Sequence, residues 1–240
     1  MDAIILAGGK GTRMLPLTQT VPKPLLNVRG RPILEWTLLS LRPTVSHVLV
    51  VVHYLKEQIV QFMKRQTIFD SYLVVEQVPE PLGTAHGLQC CAPYLNSQEF
   101  LVANGDDLCS ASGFYQLAQT PLGILAVERS DPPRWGVLVI DAAGRLVRIH
   151  EKPPEGQYHA PTLVNAGVYK LNSSVFDCPL SLSPRGEYEI TDYVGWLARS
   201  NSIQIICADF WLPIGTPQDL EQAQLVDVNS RLFNYPTYGQ

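Results

Sequence analysis

Long apolar runs, a surplus of positive charge and paired cysteines are all missing from this 240-residue chain. A bilayer-spanning helix needs about 20 consecutive apolar residues, and the longest purely apolar run, at residues 48–52, stops far short. Met1-Asp2-Ala3 leads directly into an apolar stretch without the basic segment that opens a secretion signal. A soluble, cytoplasmic protein with no membrane partner is therefore expected. Lysines and arginines number 18 against 22 acidic residues, a formal net charge of −4. That balance argues against a nucleic-acid partner, which needs a broad basic surface, so any phosphate site must be local. The five cysteines (Cys90, Cys91, Cys109, Cys178, Cys207) are odd in number and lack CxxC spacing. Neither a disulfide framework nor a zinc cluster fits them, and they read as reduced thiols, mostly core filler. His47, His53, His86, His150 and His159 show no metal-ligand spacing, which leaves them structural or solvent roles. No Gly/Ser-rich linker interrupts the chain and the nineteen prolines are scattered. One domain over residues 1–240 is expected, with a first part (1–120) and a second part (121–240) of different texture.

What is present in the first part is a βαβ rhythm. Residues 3–6, 48–52, 72–75 and 100–103 are short, apolar, β-branched or aromatic runs, as expected of parallel strands covered on both faces. Between them Leu55, Ile59, Phe62 and Met63 recur at helical spacing, and Pro32 is placed to open a helix through Leu41. After residue 120 the strand-like pieces at 123–127, 136–140, 146–149 and 163–169 are joined by turns such as Asp141-Ala142-Ala143-Gly144, and antiparallel or mixed pairing is expected. Ile190, Val194, Leu197 and Ala198 mark a further helix, residues 203–206 a strand, and Thr216-Pro217 the start of a terminal helix. The predicted fold class is α/β: a Rossmann-like open, mostly parallel but mixed sheet with helices on both faces and ligands at the carboxyl ends of the strands.

The first strand runs into Ala7-Gly8-Gly9-Lys10-Gly11-Thr12-Arg13. Small residues there let backbone N–H groups approach an anion, and Arg13 can fork onto its oxygens. The loop is not a Walker A motif, because glycine follows Lys10 where Ser or Thr is needed, and its glycines do not fit the dinucleotide fingerprint. Taken alone, a tight turn and a phosphate loop explain it about equally well. Farther on, Lys23 lies between Pro22 and Pro24; both prolines restrict the backbone around it, which suggests a positioned charge.

Together Ile5-Leu6-Ala7-Gly8-Gly9-Lys10-Gly11-Thr12-Arg13-Met14-x-Pro16-Leu17-Thr18 and Pro22-Lys23-Pro24-Leu25-Leu26 resemble the amino-terminal signature of the nucleoside-diphosphate-sugar pyrophosphorylases, the sugar-1-phosphate nucleotidyltransferases. The resemblance covers nearly the whole chain and its pieces follow in order. Pro81-Leu82-Gly83-Thr84-Ala85 looks like the second nucleotide loop and Asn104-Gly105-Asp106 like the metal-binding turn. Glu151-Lys152-Pro153 and Asn165-Ala166-Gly167-Val168-Tyr169 look like the sugar-phosphate strands. Gly186-Glu187-Tyr188-Glu189-Ile190-Thr191-Asp192 and Trp211-x-x-Ile214-Gly215-Thr216-Pro217 resemble later elements. The resemblance implies the nucleotide-diphospho-sugar transferase type of fold and transfer of a nucleotidyl group from a nucleoside triphosphate to a sugar 1-phosphate, with Mg²⁺ as cofactor. It also implies relatives that are often dimers or tetramers. No acyltransferase repeat is expected after the last helix.

By the same resemblance Arg13, Lys23 and Asp106 are the catalytic set. Arg13 would hold the triphosphate, Lys23 would neutralise charge between the reacting phosphates, and Asp106 would bind the metal. Nucleotide contacts would come from Leu6, Ala7, Gly8, Gly9, Gly11, Thr12, Arg13, Gln77, Gly83 and Thr84, with Gln77 a candidate for the base edge. Sugar-phosphate contacts would come from Gly136, Glu151, Lys152, Asn165 and Glu189, although Glu189 also reads as an ordinary acid at a helix start. A phosphate monoester is already mostly dianionic near neutrality, so the chemistry needs charge neutralisation and alignment more than a general base. The lack of a Ser/His/Asp or Cys/His set fits that demand. One departure stands out: Pro213 occupies the position where the family carries a second metal-binding aspartate. Asp209 is expected to point away and Asp219 to cap a helix. Two alternatives remain open at this point: a weakened relative that binds nucleotide sugar and regulates a partner, and a cytidylyltransferase acting on phosphocholine.

Overall fold

The computed structural model describes residues 1–233. The chain runs β1 (Asp2–Leu6), β2 (Asn27–Val28), β3 (Arg31–Pro32), α1 (Ile33–Leu41), β4 (His47–Val52), α2 (Lys56–Arg65), β5 (Tyr72–Glu76), α3 (Thr84–Cys91) and β6 (Glu99–Asn104). It continues through β7 (Asp107–Cys109), α4 (Ala111–Ala118), β8 (Gly123–Arg129), β9 (Gly136–Ile140), β10 (Leu146–Glu151) and β11 (Thr162–Asn172). Last come α5 (Ile190–Ala198), β12 (Gln204–Cys207), β13 (Trp211–Pro213), α6 (Pro217–Ala223) and α7 (Val228–Phe233).

A nine-stranded sheet carries the order β10-β9-β11-β6-β1-β4-β5, with β8 pairing β11 and β12. Strands β6, β1, β4 and β5 are parallel, whereas β11 pairs antiparallel with β6 and β8. The mixed, nucleotide-diphospho-sugar transferase fold expected from the sequence is the one observed. Its alternation explains the layers. On one face Ile4, Leu49, Val75 and Val102 pack under Ala85, Leu88 and Cys91 of α3 and Ile190, Val194 and Leu197 of α5. On the other, Ala3, Ile5, Val48, Val50 and Leu101 pack under α1, α2 and α4. A side chain as fully buried as Ile4 or Ile5 contributes about 1.5–3 kcal/mol, so the apolar residues that follow Asp2 in the centre strand anchor its carboxyl end in place.

The glycine loop turns through a short 3-10 segment at Thr12–Met14. Several expectations need correction. Pro32 caps α1 and does not occupy its first turn. The helix opened by Thr216-Pro217 is not terminal, because α7 follows it. Cys91, Cys109 and Cys178 are buried, but Cys207 is exposed on β12. Residues 234–240 of the expected 1–240 unit lie outside the described residues. Among the described residues no helix is long and apolar enough to cross a membrane.

Candidate active site

The carboxyl ends of β1, β4, β5 and β6 meet in one cleft, the place an open α/β sheet reserves for ligands. Ala7 N–H donates to Val51 O (2.9 Å), Gln77 N–H to Val52 O (2.9 Å) and Gly105 N–H to Leu6 O (2.9 Å), which ties the three loops to their strands. Beyond Ala7 the pattern stops: among the described residues the N–H groups of residues 8–13 find no protein acceptor. Gly8 is buried and Gly9, Lys10, Thr12 and Arg13 are exposed, so these donors open to the cleft, as an oxyanion needs.

Two adjoining hollows open there. The smaller, 190 Å³, is lined by Leu6, Ala7, Gly9, Gly11, Thr12, Arg13, Lys23, Asp106 and Gly215 among others. The larger, 520 Å³, adds Gly8, Lys10, Gln77, Gly83, Thr84, Asn104 and Glu187. All the sequence-predicted nucleotide and catalytic residues thus line one cleft. Lys23 stands in a 3-10 turn, Lys23–Leu25, entered from Pro22 at φ −65° and ψ 141°. Its side chain is 8% exposed and its Nζ donates to Asp106 Oδ2 at 2.6 Å, where Asp106 is 36% exposed. Arg13 reaches over Gly215, where even a methyl group would lie 3.7 Å from its guanidinium.

Next to Asp106, Asp107 accepts from Ile214 N–H (3.1 Å) and stands opposite Pro213 in the β7–β13 ribbon. Burial first and the Asp106 charge second push its carboxyl up from the usual range, against the pull of Lys23. Asp209 points away, as expected: it accepts from Ser112 Oγ (2.8 Å) and from Ser110 Oγ. Asp219 caps α6, with its N–H donating to Thr216 Oγ1 (3.2 Å) and its Oδ2 accepting from Gly215 N–H (3.0 Å). Among the described residues no group of three or more His, Cys, Asp or Glu converges on a metal position.

The sugar-phosphate candidates line neither hollow. Gly136 pairs with Glu151 across β9 and β10. The Glu151 carboxyl is held above the usual range by desolvation and by Glu189 and Asp192, opposed by Arg185 and Lys152. Lys152 follows on an exposed turn at φ 44°, a conformation uncommon for a side chain of this size. Asn165 donates to Tyr169 OH (2.7 Å) and accepts from Gly167 N–H (2.9 Å), closing an irregularity in β11. Gly167 there has φ +72°, and a Cβ would strike Asn104 Nδ2 at 2.2 Å, so this glycine lets β11 approach the Asp106 turn. Glu189 is the residue before α5 rather than a first-turn acid. It is 8% exposed and accepts from Ser183 Oγ (3.0 Å) and Arg185 NH2 (2.7 Å).

The second loop is clasped to the segment before α5. Tyr188 N–H donates to Leu82 O (2.7 Å) and Ala85 N–H to Tyr188 O (2.9 Å), and Ile190 N–H donates to Thr84 Oγ1 (2.9 Å). The start of α3 therefore offers fewer free N–H groups than its sequence implies. Gly83 has φ +102°, and a Cβ would lie 2.5 Å from Tyr188 O. Gly83→Ala is expected to cost about 1–3 kcal/mol or more of stability and to raise the KM for nucleotide; denaturant unfolding and initial rates measure both. Sequence reasoning missed Lys10, Glu187 and Gly215 as lining residues and gave His86 no role. Gly215 lay within a motif already noted, whereas Glu187 reaches the cleft only through the Tyr188 clasp, and His86 stands behind it against Gln77.

A mixed α/β sheet with a free-donor loop at the end of its first strand and a lysine–aspartate pair beside it defines a nucleotide-handling domain. The chain belongs to the nucleotidyl transferase family, whose model matches residues 2–230. It is 35% identical over 227 residues to a protein named bifunctional protein GlmU from Methanococcus aeolicus, covering 93% of this chain and 53% of that one. It is 30% identical to mannose-1-phosphate guanyltransferase beta-B of Xenopus laevis, over 98% of this chain and 67% of the relative. The inositol-1-phosphate CTP transferase of T. maritima shares the fold at a TM-score of 0.78 and 21% identity, over 96% of this chain and 95% of that one. The chain spans about half the length of the GlmU proteins it matches.

Proposed function

We propose that this chain transfers a nucleotidyl group from a nucleoside triphosphate to a sugar 1-phosphate, giving a nucleoside-diphosphate sugar and pyrophosphate. The observation that carries the reading is the run of N–H groups at residues 8–13 without a protein acceptor among the described residues, in the same cleft as the Lys23–Asp106 pair. In this reading residues 1–120 hold the nucleotide and residues 121–240 the sugar phosphate, within one unit. The glycine loop and Arg13 grip the triphosphate. A phosphate oxygen of the sugar 1-phosphate attacks the α-phosphorus in line, the bond to the β-phosphate oxygen breaks, and pyrophosphate leaves. Lys23 neutralises charge between the two phosphate groups, and Lys152 holds the incoming phosphate. Glu151, Asn165 and Glu189 offer directional polar contacts to sugar hydroxyls, with Gly136 supplying backbone close by.

Asp106 suits a divalent cation. Its carboxylate opens partly to the cleft, no hydrogen bond reaches its Oδ1 among the described residues, and the neighbouring loop favours the phosphate oxygens that complete a Mg²⁺ shell. Bound there, Mg²⁺ would offset the charge that builds on the phosphates. Among the described residues only one carboxylate lines the smaller hollow; Pro213 offers no ligand, and Asp209 and Asp219 are engaged elsewhere. A cytoplasmic location follows from the sugar-nucleotide chemistry proposed.

The test is pyrophosphate release under Mg²⁺ with GTP, UTP, dTTP, CTP and ATP against a panel of sugar 1-phosphates and phosphocholine. Turnover with a sugar 1-phosphate supports the reading. Turnover with phosphocholine alone transfers it to the cytidylyltransferase alternative, and silence alongside measurable nucleotide-sugar binding favours a regulatory relative.

A further inference from the structure

The glycine loop is held from behind by one residue of the turn between β4 and α2. Tyr54 grips it at both ends: its N–H donates to Gly8 O (3.3 Å), and its phenol OH donates to Thr18 O (2.9 Å), with Gln19 O farther off at 3.3 Å. Gln58, in the first turn of α2, adds Nε2 on Thr20 O (2.7 Å). Between these ends the fully buried Thr18 ties the loop to itself, its Oγ1 donating to Gly11 O (2.8 Å). Met14 N–H reaches the same oxygen (2.9 Å). The packing is as close as the bonding. Gly11 has φ +61°, and a Cβ there would lie 3.0 Å from Thr18 Cγ2 and 3.2 Å from Lys23 Cβ. Directly after Tyr54, Leu55 takes φ 49°, a conformation that a branched apolar residue keeps only where its surroundings impose it.

Neither Tyr54 nor Thr18 lines either hollow, so their influence must pass through the peptide planes. A trans peptide is planar and sets its C=O and the next residue's N–H on opposite sides. The Gly8 carbonyl shares its plane with the N–H of Gly9, and the Gly11 carbonyl with the N–H of Thr12; both bonds are trans. Each carbonyl is turned toward the Tyr54 and Thr18 side, so each N–H is turned the other way. Gly9 and Thr12 line both hollows, and neither N–H has a protein acceptor among the described residues. Acceptors engaged at the back leave donors bare at the front, as an oxyanion requires.

We propose that Tyr54 and Thr18 are positioning residues: Thr18 holds the Gly11 carbonyl, the Tyr54 phenol braces Thr18, and together they aim the loop N–H groups at the triphosphate. The proposal rests on the nucleotidyltransferase reading and names what orients its phosphate loop. Inorganic tripolyphosphate, which carries the phosphates without base or sugar, is the probe, titrated calorimetrically into the full chain. Initial rates with nucleoside triphosphate and sugar 1-phosphate are measured alongside. Thr18→Val keeps the branched shape and deletes the Oγ1 donor. It is expected to weaken tripolyphosphate binding about fivefold, the scale of one neutral hydrogen bond. KM for the nucleoside triphosphate should rise by a similar factor while KM for the sugar 1-phosphate stays unchanged. Thr18→Ser, which retains the hydroxyl, should bind the probe close to the wild-type level. Tyr54→Phe loses only the phenol oxygen and should also weaken the probe. Because it acts through Thr18, the double variant should lose less than the product of the two single losses. Thermal unfolding checks that each variant folds; should Thr18→Val not fold, Tyr54→Phe, at a partly exposed position, carries the test. Folded variants that bind tripolyphosphate as the wild type does overturn the proposal, and so does a wild-type protein that fails to bind it. An equal rise in both KM values overturns it as well, since a general loosening of the fold would act on both substrates. Probe binding that falls in the variants while no triphosphate yields pyrophosphate upholds the loop proposal and overturns the transfer reading instead.

Discussion

Asp106→Asn and Asp106→Ala are each expected to lower kcat by about two to three orders of magnitude, the range seen when one preorganised electrostatic group at a reacting centre is lost. Two facts make this position more sensitive than a typical surface aspartate. Among the described residues its carboxylate is the one acidic group that lines the smaller hollow, and the adjacent Asp107 is engaged by Ile214 N–H in the β7–β13 ribbon. Asp106 also holds Lys23 at 2.6 Å, so its loss frees the lysine as well. Asparagine keeps an acceptor for Lys23 and nearly the same shape, so Asp106→Asn should unfold at close to the wild-type denaturant midpoint while losing activity. Single-turnover pyrophosphate release at saturating substrates, over a Mg²⁺ titration, is the measurement. Wild-type turnover in Asp106→Ala would end the proposed mechanism.

Lys23→Met is the second large effect. The lysine lies between Asp106 and the phosphate loop, and its charge also eases the repulsion between Asp106 and Asp107. Removing it should cut kcat by about 10²–10³. The Mg²⁺ concentration for half-maximal rate should not rise, because Asp106 without a neighbouring ammonium group attracts a divalent ion at least as well. This divergence separates a lysine that acts on the reacting phosphates from one that merely shapes the metal site. A lysine of the second kind would show a raised Mg²⁺ requirement and a near-normal rate at saturation.

The parallel strands were legible because a strand buried on both faces is written as an unbroken apolar run, and 48–52 could be read no other way. The glycine loop and Lys23 were legible for a related reason: few side-chain patterns serve a close anion or fix a cation between prolines. Asp209 and Asp219 were also read correctly, since a strand position and a capping pattern are local properties. What escaped was contact between distant segments. His86 carries no pattern of its own, and its meaning comes from a glutamine nine residues earlier that is brought within 3.1 Å by the fold. The Tyr188 clasp depends on backbone groups, which every residue shares and no residue type announces. Glu189, named as a sugar contact, read equally as a helix acid because its partners, Ser183 and Arg185, are set by the shape of the loop between them. The turn after the glycine loop was hidden on the same ground, since its geometry is fixed by Thr18 Oγ1 donating to Gly11 O (2.8 Å).

The proline bracket around Lys23 has a thermodynamic side. Ordering the backbone of a residue costs about 1–2 kcal/mol of entropy, and a flexible loop would incur that cost afresh whenever phosphates arrived. Pro22 and Pro24 narrow the choices open to this stretch even in the unfolded chain. The ammonium group thus waits in place before any ligand enters, and the binding free energy of the two substrates is left for bringing them together.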